Sequence, residues 1–256
     1  MFNLWSVSMR YIFISPHLDD AVLSCGGIIH FLVNKGHQVD IWTIFSGDPE
    51  DENYSDFAKN LHKRWKLENQ NPSFARRRED KNACHILGAK FKHFPYQDCI
   101  YRKYENGMSI IQNEEDLFQK ISGNQIVIID KISNSLKKRI PHNSMIVSPF
   151  GIGNHIDHQI VKSSIIKLQH PYLWFYADFP YVLKNNQEYM SDFPINYDQE
   201  EFEITENSMK LWQIAVSSYT SQISTFWSGD KEMFSQIEEY AKKGGGNKLW
   251  KKLDIN

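Results

Sequence analysis

Short apolar runs alternate with helical patterns along most of the chain. Runs rich in β-branched and aromatic residues predict buried parallel strands, and these runs lie at 11–15, 39–45, 91–96 and 144–148. Apolar positions at helical spacing predict helices between the strands, over 21–35, 73–87 and 125–139. This alternation predicts an α/β fold with a Rossmann-like, mostly parallel sheet flanked by helices on both faces.

The later part of the chain is less regular. Its pattern predicts a helix, an aromatic strand region, a short strand and two further helices, at about 157–168, 171–183, 202–205, 207–217 and 231–242. A length of 256 residues suits one domain at the upper end of the usual size range. We therefore expect a single domain over 1–256, with a core at about 9–183 and a C-terminal β/α extension at about 184–256.

The overall charge gives no sign of a polyanionic partner. The chain has 29 Lys and Arg residues against 31 Asp and Glu residues, a net charge of -2. No global field would draw such a protein to nucleic acid or to an anionic membrane. We expect no nucleic-acid partner, so the partners must follow from local chemistry.

The cysteines and the N-terminal segment predict a cytoplasmic protein. Cys25, Cys84 and Cys99 are too few and too scattered for a disulfide framework or a CxxC metal knuckle, which is typical of reduced thiols. The first ten residues lack the basic and apolar regions of a signal peptide. No run of ~18 apolar residues occurs, so we expect no transmembrane segment.

The first group of chemically reactive residues follows the first predicted strand. It reads Pro16-His17-Leu18-Asp19-Asp20. Two carboxylates and an imidazole are costly to place together unless a positive charge lies among them, because like charges repel at close range. A divalent cation would supply that charge, with His17 and Asp20 as ligands and Asp19 directed elsewhere.

The second group, His155-Ile156-Asp157-His158, follows the fourth predicted strand in the same topological position. If the two strands are close, His158 completes a site of two imidazoles and one carboxylate, which is the ligand set of many catalytic zinc centres. Asp19 would then take a proton from an activated water. A positively charged His155, oriented by Asp157, would stabilise an oxyanion or protonate a leaving amine.

Each group alone also has an ordinary structural interpretation. A pair of aspartates is often a helix N-cap, and an HxDH segment in a loop is often a surface feature. The occurrence of both groups, each after an apolar strand, favours a metal site.

These residues also resemble a known family. The segments SPHLDDAVLSCGG and GNHIDH are similar to the paired PHxDD and HxDH signatures of the LmbE-like (PIG-L) N-deacetylases, zinc hydrolases that act mainly on N-acetylglucosamine conjugates. The helix with Arg76 and Glu79 resembles the family's arginine helix, and Lys210 with the segment YTSQ at 219–222 resembles its late KxxA…SQ segment. The resemblance spans about residues 11 to 222. One departure is Ala21, where many members have Glu.

The resemblance implies a role for each of these residues. His17, Asp20 and His158 would bind Zn²⁺, Asp19 would be the general base, and His155 would support the oxyanion.

Arg76 would reach the polar or phosphate-bearing part of the substrate, and Asp98 would bind sugar hydroxyls. From spacing alone, Arg76 with Glu79 is equally an ordinary surface pair on one helix face.

We therefore expect a metal-dependent hydrolase that removes the N-acetyl group of an amino-sugar conjugate of the N-acetylglucosamine type. Two alternatives stay open: a metal-dependent hydrolase of another amide or an ester, and a sugar-binding homologue without turnover. The ligand set suits Zn²⁺, but also Fe²⁺ or another divalent ion. The oligomeric state is open, with a homo-oligomer among the options.

Overall fold

A seven-stranded sheet forms the centre of the computed structural model, which describes residues 8–184, 197–243 and 245–252. The described strands are β1 (Arg10–Ser15), β2 (Gln38–Thr43), β3 (Lys90–His93), β4 (Ser144–Pro149), β5 (Leu173–Tyr176), β6 (Tyr197–Glu201) and β7 (Lys248–Lys252). They lie in the order β3-β2-β1-β4-β5-β7-β6. Strands β1 to β5 pair in parallel, whereas β7 is antiparallel to both of its neighbours. The predicted α/β fold with a mostly parallel sheet is confirmed.

Helices cover both faces of this sheet. They are α1 (Asp20–Asn34), α2 (Asp56–Arg64), α3 (Pro72–Ile86), α4 (Asn124–Lys137), α5 (Ile156–Ile166), α6 (Tyr181–Lys184), α7 (Glu206–Ser217), α8 (Thr220–Phe226) and α9 (Asp230–Lys242). Side chains of β1 enter two separate apolar cores, with Phe13 in one and Ile12 and Ile14 in the other. A strand buried on both faces reads as a continuous apolar run, which is why the sequence pattern finds β1.

The C-terminal region is fixed to the core by a close helix contact. Gly26 in α1 leaves room for Trp212 of α7, since a Cβ on Gly26 would lie 2.1 Å from the indole ring. The Trp212 indole N–H donates a hydrogen bond to the Val22 carbonyl at 2.7 Å. Trp212 is fully buried, so this contact holds α7 directly against the helix that follows β1.

Side-chain caps start the helices in the polar segments. Ser55 accepts a hydrogen bond from the Ala58 N–H at the start of α2, and Asn71 does the same for Phe74 at the start of α3. Such caps satisfy backbone N–H groups that have no partner within the helix. Helix α2 lies in the polar segment 46–72, for which the apolar pattern predicts no element.

The prediction was wrong in detail near the C terminus. The short strand lies at Tyr197–Glu201 and not near 202–205, and β7 was not predicted. These two strands pair with each other over five residues, and their polar sequences carry no pattern that predicts a strand without the partner. The aromatic region 171–183 contains the short β5 followed by α6.

Two predictions concern residues outside those described. The first is the absence of a signal peptide, which concerns the first ten residues and therefore includes 1–7. The second is the start of the C-terminal extension, predicted at about 184, which includes 185–196. Among the described residues, no helix combines the length and apolar character that crossing a membrane requires.

Candidate metal centre

The two chemically reactive segments meet at the middle of the sheet. Strands β1 and β4 are parallel neighbours, although about half of the chain separates them. The order of the strands reverses between them, because β2 lies on the far side of β1 and β5 on the far side of β4. Ligands of open α/β sheets bind outside the carboxyl ends of strands at such a reversal. The segment 16–20 and the segment 155–158 both lie there.

The three predicted metal ligands are in contact. The Asp20 Oδ2 atom lies 3.2 Å from His17 Nδ1 and 3.3 Å from His158 Nε2. All three side chains are buried. His155 also offers a ring nitrogen within 4.8 Å of ring nitrogens of His17 and His158. The structure therefore brings together the predicted set and adds His155 as a fourth candidate ligand.

The charge balance of this group suits a cation. Within the described part of the chain, His158 Nε2 is buried without a hydrogen-bond partner, and such atoms in native proteins call for an explanation, of which a bound ion is one. Burial lowers the pKa of His158, but Asp20 and Asp178 outweigh it and raise that pKa to about 9. The carboxylates thus favour positive charge at the imidazoles. A divalent ion held by two imidazoles and a carboxylate provides that charge, so the residues present fit such an ion.

Asp19 lies beside this group at the N-cap position of α1. Its side chain makes no capping hydrogen bond in the described chain, so capping does not account for its carboxylate. Burial and the neighbouring Asp20 raise the pKa of Asp19 to about 7, against the lowering effect of Arg76. A carboxyl group with a pKa near neutral pH is suited to accept and release a proton.

Arg76 and Asp98 lie in the same crevice. The Arg76 guanidinium donates a hydrogen bond to Asp98 Oδ2 at 3.3 Å and lies 3.8 Å from Asp19 Oδ2. Its other face covers the Trp65 ring at 4.8 Å. Glu79 accepts hydrogen bonds from α8 instead. The interpretation of Arg76 as half of a surface pair is therefore wrong.

The structure corrects two expectations about His155 and Asp157. Burial, together with the positive charges of His17 and His158, lowers the pKa of His155 well below its usual value, so this imidazole is neutral and not positively charged at pH 7. The Asp157 carboxylate does not orient it, because Asp157 Oδ2 bonds His17 Nε2 at 3.0 Å. His155 Nδ1 accepts the Asp157 backbone N–H at 3.3 Å. The other ring nitrogen of the neutral imidazole therefore carries the proton and can donate it in a hydrogen bond.

Sequence reasoning missed two charged residues that hold the imidazoles. Asp178, just after β5, accepts a hydrogen bond from His158 Nδ1 at 2.6 Å and further bonds from the Gly151 and Ile152 N–H groups. Arg102 lies 2.5 Å from Asp157 Oδ1. Partners of this kind fix the orientation of ligand imidazoles. The position of Asp178 after a buried strand was the only sequence signal for it, and Arg102 had none.

Aromatic side chains border the centre on one side. Phe118 meets the His155 ring edge-on at 5.9 Å and Tyr181 at 6.4 Å between centroids. Tyr181 is also 5.6 Å from the His158 ring. Phe118 is 40 % exposed, so it presents apolar surface to whatever enters the crevice.

A cavity of about 700 Å³ lies next to the centre. Its wall includes Phe45, whose ring is 6.1 Å from the His17 ring, and Arg102, which contacts Asp157. Four tyrosines and six charged residues make up nearly half of the remaining wall. Its volume is that of a small-molecule site.

Together, the fold and these contacts define an α/β protein with a candidate divalent-cation centre where the strand order reverses. The chain belongs to the PIG-L family, described as GlcNAc-PI de-N-acetylase, whose family model matches residues 12–168. This confirms the resemblance found in the sequence.

Known relatives resemble this chain over most of its length. It is 30% identical over 209 residues to 2'-N-acetylparomamine deacetylase of Niallia circulans, which covers 71% of this chain and 70% of that protein. The structure of the zinc-inhibited form of teicoplanin deacetylase Orf2 superposes with a TM-score of 0.82 at 24% identity, over 97% of this chain and 100% of that one. For the A40926 pseudoaglycone deacetylase Dbv21, the TM-score is 0.73 at 26% identity, over 95% and 96% of the two chains.

Proposed function

We propose that this protein is a metal-dependent N-deacetylase that hydrolyses the N-acetyl amide of an amino-sugar conjugate and releases acetate and a free amine. The observation that carries the proposal is the contact of His17, Asp20 and His158 next to a buried Asp19 with a pKa of about 7. Family membership supports it, as do the similar proteins named 2'-N-acetylparomamine deacetylase and A40926 pseudoaglycone deacetylase.

His17, Asp20 and His158 would hold the ion, which when bound would lower the pKa of a water molecule and polarise the acetyl carbonyl. Asp19, ionised above its pKa, would take the proton of the attacking water. The same carboxyl group would then return that proton to the departing amine nitrogen. Its burial and its pKa near neutrality suit both steps.

His155 would stabilise the negative charge that develops on the carbonyl oxygen. Because its Nδ1 accepts the Asp157 N–H, its Nε2–H is available as a neutral donor, and such donors stabilise tetrahedral oxyanions without reorganisation. Asp157 would act on His17, to which its carboxylate bonds, rather than on the substrate.

Arg76 and Asp98 would bind the polar part of the substrate. Their guanidinium and carboxylate form one ion pair directly beside Asp19, so sugar hydroxyls bound there would place the acetamido group near the base. Buried hydrogen-bonding groups of this kind fix the orientation of a ligand in a pocket.

Zn²⁺ is the proposed ion. Two imidazoles and one carboxylate match catalytic zinc sites with an open position. The ligand set also accepts Fe²⁺, so metal analysis of the protein purified without added metal would decide between them.

Two further expectations stay proposals. One is a single domain over 1–256, supported by the pairing of β7 with β5 in one sheet. The other is a cytoplasmic location, supported by three free buried cysteines.

The test is acetate release from a panel of N-acetylated amino-sugar conjugates, O-acetyl esters and simple amides. The wild-type protein should prefer the N-acetyl sugars, and Asp19→Ala should lower the rate on the order of 10²-fold or more. A preference for esters would favour the alternative hydrolase. Glycan binding without acetate release, in metal-replete protein, would favour the binding protein without turnover.

A further inference from the structure

A second group of metal-binding side chains lies against the candidate centre. Cys99, His155 and Asp157 each offer a ligand atom, and these atoms all lie within 4.8 Å of one another. All three residues are buried. The group shares His155 with the candidate centre, but its thiol takes no part in the proposed hydrolysis. Only the Cys99 backbone N–H is used there, as a donor to Asp157 Oδ2 at 2.9 Å.

We propose that Cys99, His155 and Asp157 form a second, inhibitory site for thiophilic divalent ions such as Cd²⁺ and excess Zn²⁺. Thiolate, imidazole and carboxylate are the three ligand types of protein zinc sites. The thiolate selects soft ions, whereas Mg²⁺ and Ca²⁺ prefer oxygen. When the ion binds, the Cys99 thiol releases its proton to solvent and a metal–sulfur bond replaces the S–H bond.

The surrounding charges permit a cation at this place. Arg102 opposes it, since it contacts Asp157 Oδ1 at 2.5 Å. Two negative charges offset the charge of Arg102. One is the thiolate formed on binding, and the other is the carboxylate of Asp98, whose Oδ1 atom lies 3.5 Å from Cys99 Sγ. His155 Nδ1 accepts the Asp157 N–H at 3.3 Å, a long contact that a metal bond can replace.

Binding at this site would disturb the first site. Asp157 Oδ2 bonds His17 Nε2 at 3.0 Å, so an ion held by this carboxylate would compete with the hydrogen bond that orients a ligand of the catalytic ion. The inhibition, but not the binding, therefore rests on the proposed deacetylase function. The second site predicts that the rate of acetate release rises as the first site fills with Zn²⁺ and falls at higher Zn²⁺ concentration. Added Mg²⁺ should cause no such fall.

The experiment is titration of the purified full-length protein with Cd²⁺, followed by thiolate-to-metal charge-transfer absorbance and by acetate release. Cys99→Ser removes the thiolate, and Cys84→Ser is the control, because Cys84 is an equally buried thiol in the α3 core. Wild type and Cys84→Ser should show the absorbance band and inhibition. Cys99→Ser should lose the band and require at least about tenfold more Cd²⁺ or Zn²⁺ for half inhibition, since even outer partners of a metal site are worth 10–100-fold.

The proposal is overturned if the wild type shows no thiolate band, or if Cys99→Ser keeps the band or the wild-type inhibition. Cys99→Ala, checked for folding by circular dichroism, repeats the test without a hydroxyl in the buried position. The absorbance needs no turnover. A band without acetate release would refute the proposed reaction alone, and acetate release without a band would refute the second site alone.

Discussion

Two aspartate–histidine clusters, each built around a buried aspartate, differ in how completely their buried polar atoms are hydrogen-bonded. In the Asp80 cluster (Asp80, His93 and Tyr219), Asp80 Oδ1 accepts the Tyr219 hydroxyl at 2.8 Å and Oδ2 lies 2.7 Å from His93 Nε2. No buried atom of these three side chains is among those without a hydrogen-bond partner in the described part of the chain.

The metal cluster (His17, Asp20, His158 and Asp178) differs at one ligand atom. His158 Nε2 has no hydrogen-bond partner among the described residues, although it lies 3.3 Å from Asp20 Oδ2. Carboxylates raise the pKa of both histidines despite their burial. A cluster without unsatisfied buried atoms stabilises the fold, whereas a buried ligand atom that has no partner and lies among carboxylates fits a bound cation. Local charge and the number of unpaired buried polar atoms therefore distinguish a structural cluster from a metal-binding one better than residue type does.

Removal of the metal should have the largest effect and should act on one cluster only. We expect a chelator to reduce acetate release to background and stoichiometric Zn²⁺ to restore it. Zn²⁺ should also stabilise the apo protein, by about 2.7 kcal/mol at a concentration of 100 times Kd. Thermal unfolding with and without Zn²⁺ measures this second readout.

The matched variants for this experiment are Asp20→Ala and Asp80→Asn. The first should lose the Zn²⁺-dependent stabilisation, and the second should keep it in full on a less stable fold. An equal shift in both variants would contradict the assignment of the metal to Asp20.

Asp178→Asn should weaken metal binding without abolishing it. The change removes the charge that orients and polarises His158 at 2.6 Å but keeps the shape of the side chain. Loss of such a partner typically costs 10–100-fold in metal affinity or activity. Competition with a chromophoric chelator gives the Zn²⁺ affinity, and excess Zn²⁺ should rescue part of the activity. Unchanged affinity would mean that Asp178 serves only the Gly151 and Ile152 N–H groups.

The pH dependence should report Asp19. Because the base acts when ionised, kcat/KM should rise with pH and level off at or below about 7, since a bound cation lowers the pKa of Asp19 from the value set by burial and Asp20. Arg76 also lowers this pKa, so Arg76→Gln should move the rising limb to higher pH. A limb that stays in place, whatever the level of activity, would rule out Asp19 as the titrating base.

The sequence predicted the parts of the fold and of the candidate centre that short segments determine. Strands β1 and β4 are apolar runs buried on both faces, and the segments 16–20 and 155–158 follow each of them directly. Parallel pairing of those strands is enough to bring the two segments together. The roles of the residues within them stay predictions until variants are measured.

The missing parts depend on contacts between distant segments. Arg102 follows a short 3-10 helix and reaches Asp157 only through the fold. The predicted positive charge of His155 was wrong. The pKa of this imidazole depends on burial and on the neighbouring charges of His17 and His158, which no local sequence pattern shows. Strands β6 and β7 likewise have no apolar alternation and form by pairing with each other.

The smallest effect should come from Tyr219→Phe, which tests the structural member of the comparison. The change leaves Asp80 Oδ1 buried without its 2.8 Å donor, and a buried acceptor without a partner costs about 1–3 kcal/mol in the free energy of unfolding. Tyr240→Phe is the control, because its hydroxyl bonds the neutral Ala177 carbonyl and should cost less. Urea denaturation measures both, while Zn²⁺ affinity and kcat/KM at 25 °C should stay at wild-type values. A selective fall in kcat/KM would contradict the structural role and place the Asp80 cluster in the reaction.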